Sequence, residues 1–259
     1  MNKPIQKMAV RITVVAVVIL AWELVPRMAQ LSPVVLPPFS SAVEVLWERA
    51  LDGSLWQGLL ASLSLLVRGV GLGILIAIVM TAACFIIPGG REVLQTLVGL
   101  FNPLPAIAIL PLALLWFGFS ERSMILVIVF SVVWAMSLNA YAGFSTIRPV
   151  LVDVGRNLGL RGPRLIASIY FPAALPHLLS GLRIGWAFAW RTAVAAELVY
   201  GAAGGKGGIG WQIYLDRSEF NTGGVFAGLL TIVLVGLLVE YGILNTIESR
   251  TVKRWGMVS

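Results

Sequence analysis

Six apolar stretches, at residues 12–25, 58–87, 93–119, 124–144, 173–200 and 225–247, take up most of this chain. A helix needs about 20 apolar residues to cross a bilayer. Five stretches reach that length, and the first does so if Met8 to Val10 are added. Soluble domains carry about 25% charged residues, whereas this chain carries 12% and is 58% hydrophobic. The expected class is an all-α polytopic membrane protein, one transmembrane domain over residues 1–259. A single cysteine, Cys84, excludes an internal disulfide, and with one histidine beside it a zinc site has too few ligands.

The segments between the stretches carry their own signals. Lys3, Lys7 and Arg11 precede the first stretch, and no small-residue cleavage site follows, so it reads as a retained helix. Pro37 and Pro38 precede a short amphipathic helix at about 40–52. Ser41 and Glu44 there have capping-box spacing, and Gly53 ends it. Gly69 and Gly73 in the second stretch form a GxxxG, which marks close helix packing or simply the frequency of glycine in membrane helices. The third stretch holds Asn102, Pro103, Pro105 and Pro111. Carbonyls freed by proline at membrane depth are tolerated where protein or a water-filled cavity satisfies them. Residues 201–222 read as an outer glycine-rich loop.

Six crossings put both termini, Arg91 and residues 147–172 on one side. That side holds eleven basic residues (Lys3, Lys7, Arg11, Arg91, Arg148, Arg156, Arg161, Arg164, Arg250, Lys253, Arg254), the other five (Arg27, Arg49, Arg122, Lys206, Arg217). The positive-inside rule makes the richer side cytoplasmic. The net charge of +7 is thus explained by topology, without nucleic acid.

Two motifs fail in context. Residues 205–210 match GxGxxG but follow an apolar stretch rather than a strand. The pair Gly205 and Lys206 continues with Gly207, where a phosphate loop needs Ser or Thr. No nucleophile–base–acid set is present, and His177 reads as structural. ATP, if it drives this protein, binds to another polypeptide.

Charges inside the stretches are the candidate functional groups. Arg191 lies roughly 27 Å into the fifth stretch at ~1.5 Å per residue. An arginine at the bilayer centre costs roughly 2.5–3.5 kcal/mol, so it faces a cavity or a partner. The expected cavity wall is Asn102, Trp134, Trp190, Arg191 and Glu197, with Arg191 offering positive charge to an anion; a structural ion pair, or snorkelling toward the outer interface, is the alternative. Six residues separate Glu197 from Arg191, a rotation that points them about 120° apart, toward different partners. Arg68 and Arg183 are expected to pair internally or to anchor helix ends.

The longest polar interruption, residues 147–176, reads IRPVLVDVGRNLGLRGPRLIASIYFPAALP. Four arginines, Asp153, Gly159 and Gly162 breaking the middle, and interleaved apolar residues suggest either a solvated loop or two short helices around a glycine turn. Its spacing resembles the E-A-A-x3-G-x9-I-x-L-P motif of ABC importer permeases. Asp153, Val154 and Gly155 stand at E-A-A, Gly159 is the motif glycine, and Ile169, Phe171 and Pro172 complete it. Segments 36–38, 102–105, 115–118, 172–176, 181–183, 196–198 and 225–228 are similar to the nitrate/sulfonate/taurine/bicarbonate branch of these permeases.

The resemblance implies a type I ABC importer permease fold, about six transmembrane helices with a cytoplasmic coupling helix at about 147–172. It implies a homodimer in the bacterial inner membrane, two cytoplasmic ATPase subunits that bind ATP and Mg, and an extracytoplasmic substrate-binding protein. Asp153, Gly159, Leu160, Arg161 and Arg164 would contact the ATPase. The cargo would be a small anion or organic acid. A secondary transporter or channel without an ATPase is the alternative; inverted repeats would mark it, and none is visible.

Overall fold

The structure, a computed structural model, describes residues 3–200 and 207–253. Lys206 and Arg254, counted above for topology, lie outside the described residues, as do residues 201–205 of the expected outer loop. All regular elements among the described residues are helical: α1 (Lys3–Met28), α2 (Phe39–Asp52), α3 (Ser54–Ile86), α4 (Gly90–Phe101), α5 (Leu110–Phe117), α6 (Glu121–Ser145), α7 (Pro149–Asn157), α8 (Gly162–Leu165), α9 (Phe171–Tyr200), α10 (Ile209–Ser218), α11 (Thr222–Leu237) and α12 (Asn245–Glu248). A 3-10 turn, Ala106–Ile109, leads into α5; π-helical turns join α8 to α9 and α11 to α12.

Five segments are long and apolar enough to cross a membrane: Met8–Met28, Ser54–Ile86, Glu121–Ser145, Gly162–Val199 and Thr222–Thr251. The expected third span is instead a broken pair, Gly90–Phe101 and Ala106–Phe117, bent by 86°. The cause is local: Pro103 and Pro105 lack the N–H groups that would carry the helix through. The pair still makes one crossing. Gly69 faces Ile128 and Gly73 faces Val132, so α3 and α6 run parallel, and the chain between them must return across the bundle.

The centre of the bundle is α6, packed between α3 and α9. Leu66, Ala77, Val127, Ile128, Val132 and Ala140 are buried along this seam. The GxxxG is used for close packing within the chain. A Cβ on Gly69 would stand 2.5 Å from Ile128 Cγ2, and one on Gly73 would stand 2.8 Å from Val132 Cβ. Gly71, on the other face, meets open space. On the far side of α6, Gly143 and Gly181 let α9 approach in the antiparallel sense. His177 takes part in that contact, 3.4 Å from Thr146 Oγ1.

By contrast, α1 exposes apolar side chains such as Val14, Val15, Val17 and Val18 on all sides, as a lipid-facing helix does. It is anchored near its end, where Trp22 meets Phe39 edge-on and Phe226 at a tilt and donates to Pro37 O at 3.0 Å. The expected capping box at Ser41 and Glu44 does not form. Pro38 is the N-cap residue of α2, without a side-chain cap. Instead Glu23 of α1 accepts from Ser40 N–H at 2.9 Å and Ser40 Oγ at 3.1 Å, placing a carboxylate at the positive end of α2.

Helix directions put the start of α1 and the end of α12 at the same end of the bundle as α7 and α8. At the opposite end, α10 occupies ground expected to be loop. Its buried residues Ile209, Ile213 and Asp216 keep helical spacing, but the buried Asp breaks the apolar pattern. Arg49 of α2 binds Asp216 with both nitrogens, at 2.8 and 2.5 Å, and Asn221 Nδ2 donates to Asp216 at 3.1 Å. The hydrogen bonds that Arg49 donates to Asp216 hold its guanidinium above the ordinary pKa.

Candidate functional site

The break between α4 and α5 opens a cavity of about 330 Å³. Its walls are the break itself, α6 and α9, and Asn102, Trp134 and Arg191 all line it. Phe101 stacks on Trp134 with ring centres 4.9 Å apart, and Phe130 meets both rings edge-on. The Trp134 Nε1 is buried and has no hydrogen-bond partner among the described residues. The guanidinium of Arg191 lies over the Phe188 ring, 5.8 Å from its centre, a cation–π contact.

Two residues expected in this wall lie elsewhere. Trp190 is buried, stacks on Trp186 and donates to Ile232 O at 3.3 Å. Adjacent helical positions point about 100° apart, so proximity to Arg191 in sequence does not bring Trp190 to the same face. Glu197 is also buried. It accepts from Ser62 Oγ at 2.8 Å and from Gly210 N–H at 2.8 Å, which caps α10 rather than lining the cavity. The separation of Glu197 from Arg191 by rotation is as the sequence predicts.

Sequence reading missed the aromatic components, Phe101, Phe130 and Phe188, and also Thr192. A signal existed on α9: Phe188, Arg191, Thr192 and Ala195 line the cavity at positions i, i+3, i+4 and i+7, one helical face. Phe101 and Phe130 carried none, because they meet only through the fold. The other arginines inside spans pair internally, as expected. Arg68 binds Glu121 at 2.7 Å, and Arg183 binds Glu240 at 3.1 Å and Glu248 at 3.0 Å.

At one end of the bundle, α7 and α8 form two short helices around a glycine turn. Gly159 has φ +81°; its N–H donates to Arg156 O at 2.9 Å, and Leu160 N–H donates to Gly155 O at 3.0 Å. That pattern is a Schellman cap with glycine at the left-handed position. Gly155 serves differently: a Cβ there would stand 2.8 Å from Leu165 and 2.9 Å from Ile169, so it lets α7 lie on the following helix. Val150, Leu151, Val154 and Leu158 remain exposed. Asp153, Arg161 and Arg164 are exposed as well, while Leu160 is half-buried. Asp153 lies 3.9 Å from Arg156 Nη1. Tyr170, just beyond, packs with Phe144 and Phe85, connecting this element to α6 and α3.

A bundle of membrane-crossing helices, with one span broken beside a cation-bearing cavity, defines the class as a multi-pass membrane protein. The chain belongs to the family of binding-protein-dependent transport system inner membrane components, which it matches over residues 69–253. It is 31% identical over 243 residues to the taurine transport system permease protein TauC of Escherichia coli, covering 92% of this chain and 87% of that one. It is 31% identical over 230 residues to the putative aliphatic sulfonates transport permease protein SsuC of Bacillus subtilis, covering 87% and 80%. A putative ABC transporter permease of Methanocaldococcus jannaschii is 28% identical over 242 residues, covering 92% and 89%. The chain is accordingly an ABC importer permease of the inner membrane, a transport subunit and not an enzyme. Its family works in a membrane-embedded complex with an ATPase and a substrate-binding protein.

Proposed function

We propose that this chain forms the translocation pathway of an ATP-driven importer for a small anion of the sulfonate or carboxylate type. The observation that carries this reading is the cavity at the α4–α5 break, whose lining holds Arg191 and no acidic side chain. The relatives named for taurine and aliphatic sulfonates support the same cargo chemistry. Asn102, Trp134 and Arg191 are the pathway residues; Trp190 and Glu197 hold the helices that carry them.

The chain works as a homodimer, with both termini in the cytoplasm. The element α7–α8 is the coupling helix, and its exposed Val150, Leu151, Val154 and Leu158 suit a groove on an ATPase subunit. Asp153, Arg161 and Arg164 flank that apolar surface. ATP and Mg bind to two such ATPase subunits. Closure of the ATPases moves α7–α8, and the Tyr170–Phe144–Phe85 contacts pass the movement to α6 and α3. The binding protein delivers cargo at the opposite end, where α2 and α10 meet.

The test is reconstitution in proteoliposomes with the ATPase and the binding protein. ATP-dependent accumulation of a sulfonate or carboxylate, with an ATPase co-purifying in stoichiometric amount, is expected. Uptake that proceeds without any ATPase would replace this reading with a secondary transporter or channel.

A further inference from the structure

The cavity carries more information than its charge. Its lining contains one ionisable side chain, Arg191, and no carboxylate. Among the described residues Arg191 makes a cation–π contact with Phe188 and no ion pair. Phe188 therefore steadies one face of the guanidinium and leaves its N–H fork for an oxoanion, the geometry that suits carboxylates and sulfonates.

Apart from Asn102, Ser131 and Thr192, the rest of the lining is apolar, and three aromatic rings make up one part of it. Phe101 and Trp134 are stacked at an interplanar angle of 20°, and Phe130 stands across them at 87° and 74°. The three rings form a corner that a planar body fills well. Small inorganic oxoanions do not: an ion the size of one or two water molecules, at ~30 Å³ each, occupies a small part of about 330 Å³ and leaves the rings against water. A zwitterion fits less well, because the lining holds no carboxylate to pair with its ammonium. Trp134, which lines the cavity, also carries a buried Nε1 donor without a partner among the described residues.

We propose that this cavity is a transit site for an organic anion whose carboxylate or sulfonate is joined to a flat apolar body of aromatic size. The inference rests on the importer reading and narrows its cargo: it sets this chain apart from permeases for small inorganic anions or amino-sulfonates. Arg191 takes the acid group, and Phe101, Phe130 and Trp134 take the ring.

The test is direct binding to the full-length chain in nanodiscs, using labelled benzoate competed by benzenesulfonate, taurine and nitrate. Benzenesulfonate is expected to compete at concentrations about tenfold or more below taurine and nitrate. Arg191→Gln and Trp134→Leu, on different helices, are each expected to weaken benzoate binding about tenfold, while Trp47→Leu, outside the cavity, leaves it unchanged. Equal competition by nitrate or taurine, or benzoate binding that survives both cavity variants, overturns the proposal. ATPase co-purification from the same membranes separates the two readings. An ATPase partner without aromatic-acid binding sinks this inference alone; aromatic-acid binding without an ATPase sinks the importer reading and keeps the cavity assignment.

Discussion

Ser62 of α3 and Glu197 of α9, 135 positions apart in the chain, meet where the serine hydroxyl donates to the carboxylate at 2.8 Å. The same hydroxyl accepts Ile209 N–H at 2.9 Å, and Glu197 Oε2 accepts Gly210 N–H at 2.8 Å. Two helices thereby hold the first turn of a third. Glu197→Ala leaves those buried donors without a partner, at about 1–3 kcal/mol for each unsatisfied group. The expected outcome is a lower thermal midpoint in detergent, with transport lost in step with folded protein. A variant of wild-type stability that cannot transport would return Glu197 to the pathway.

The Arg49–Asp216 pair joins α2 to α10 by two hydrogen bonds, with the side chains 20% and 6% exposed. Arg49→Met strands a buried carboxylate, which costs about 3–5 kcal/mol when a buried pair is broken. Arg49→Met with Asp216→Asn removes both charges and is expected to recover a large part of that loss. Thermal melts of the four proteins in a double-mutant cycle check it; additive losses would mean that the pair is not coupled.

Much of this arrangement was legible in the sequence, and the failures have physical causes. Apolar length and charge bias gave the crossings. The prolines at 103 and 105 announced an irregular third span, but not an 86° bend, since proline frees the backbone without setting its direction. Glu23 as the cap of α2 was invisible, because it lies 17 positions from Ser40 while Ser41 and Glu44 offered a local solution. On α9 the sequence neighbour Trp190 points away from the cavity, whereas the helical wheel places Phe188 and Thr192 beside Arg191. Phe101 and Phe130 form the aromatic corner with Trp134 only when α4 folds onto α6, and no local pattern records that.

At the α7–α8 turn, Gly155 and Gly159 are needed for different reasons, and substitution separates them. Gly159 faces open space but has φ +81°, so Gly159→Trp is opposed by the backbone, at roughly 1–2 kcal/mol, and adds a bulky ring to the docking surface. Protein level in the membrane is expected to hold while substrate-stimulated ATP hydrolysis falls. Gly155→Val collides with Leu165 and Ile169, so it is expected to lower both stability and coupling. Normal stimulation in Gly159→Trp would exclude the turn as the coupling element.

Arg191→Ala tests the cavity in the working transporter. The residue is exposed to the cavity, packs on Phe188 and has no carboxylate partner among the described residues, so its removal strands no buried charge. Assembly with the ATPase and the thermal midpoint are expected to stay near wild type. Transport of an anion is expected to fall by about 10- to 100-fold, the loss of a charge-assisted hydrogen bond of about 1.5–3 kcal/mol. Arg191→Lys keeps the charge but loses the planar two-pronged donor, so it is expected to fall between the two. Uptake by Arg191→Ala equal to wild type, measured in the same proteoliposomes, would make Arg191 a structural residue and leave the broken span without an anion site.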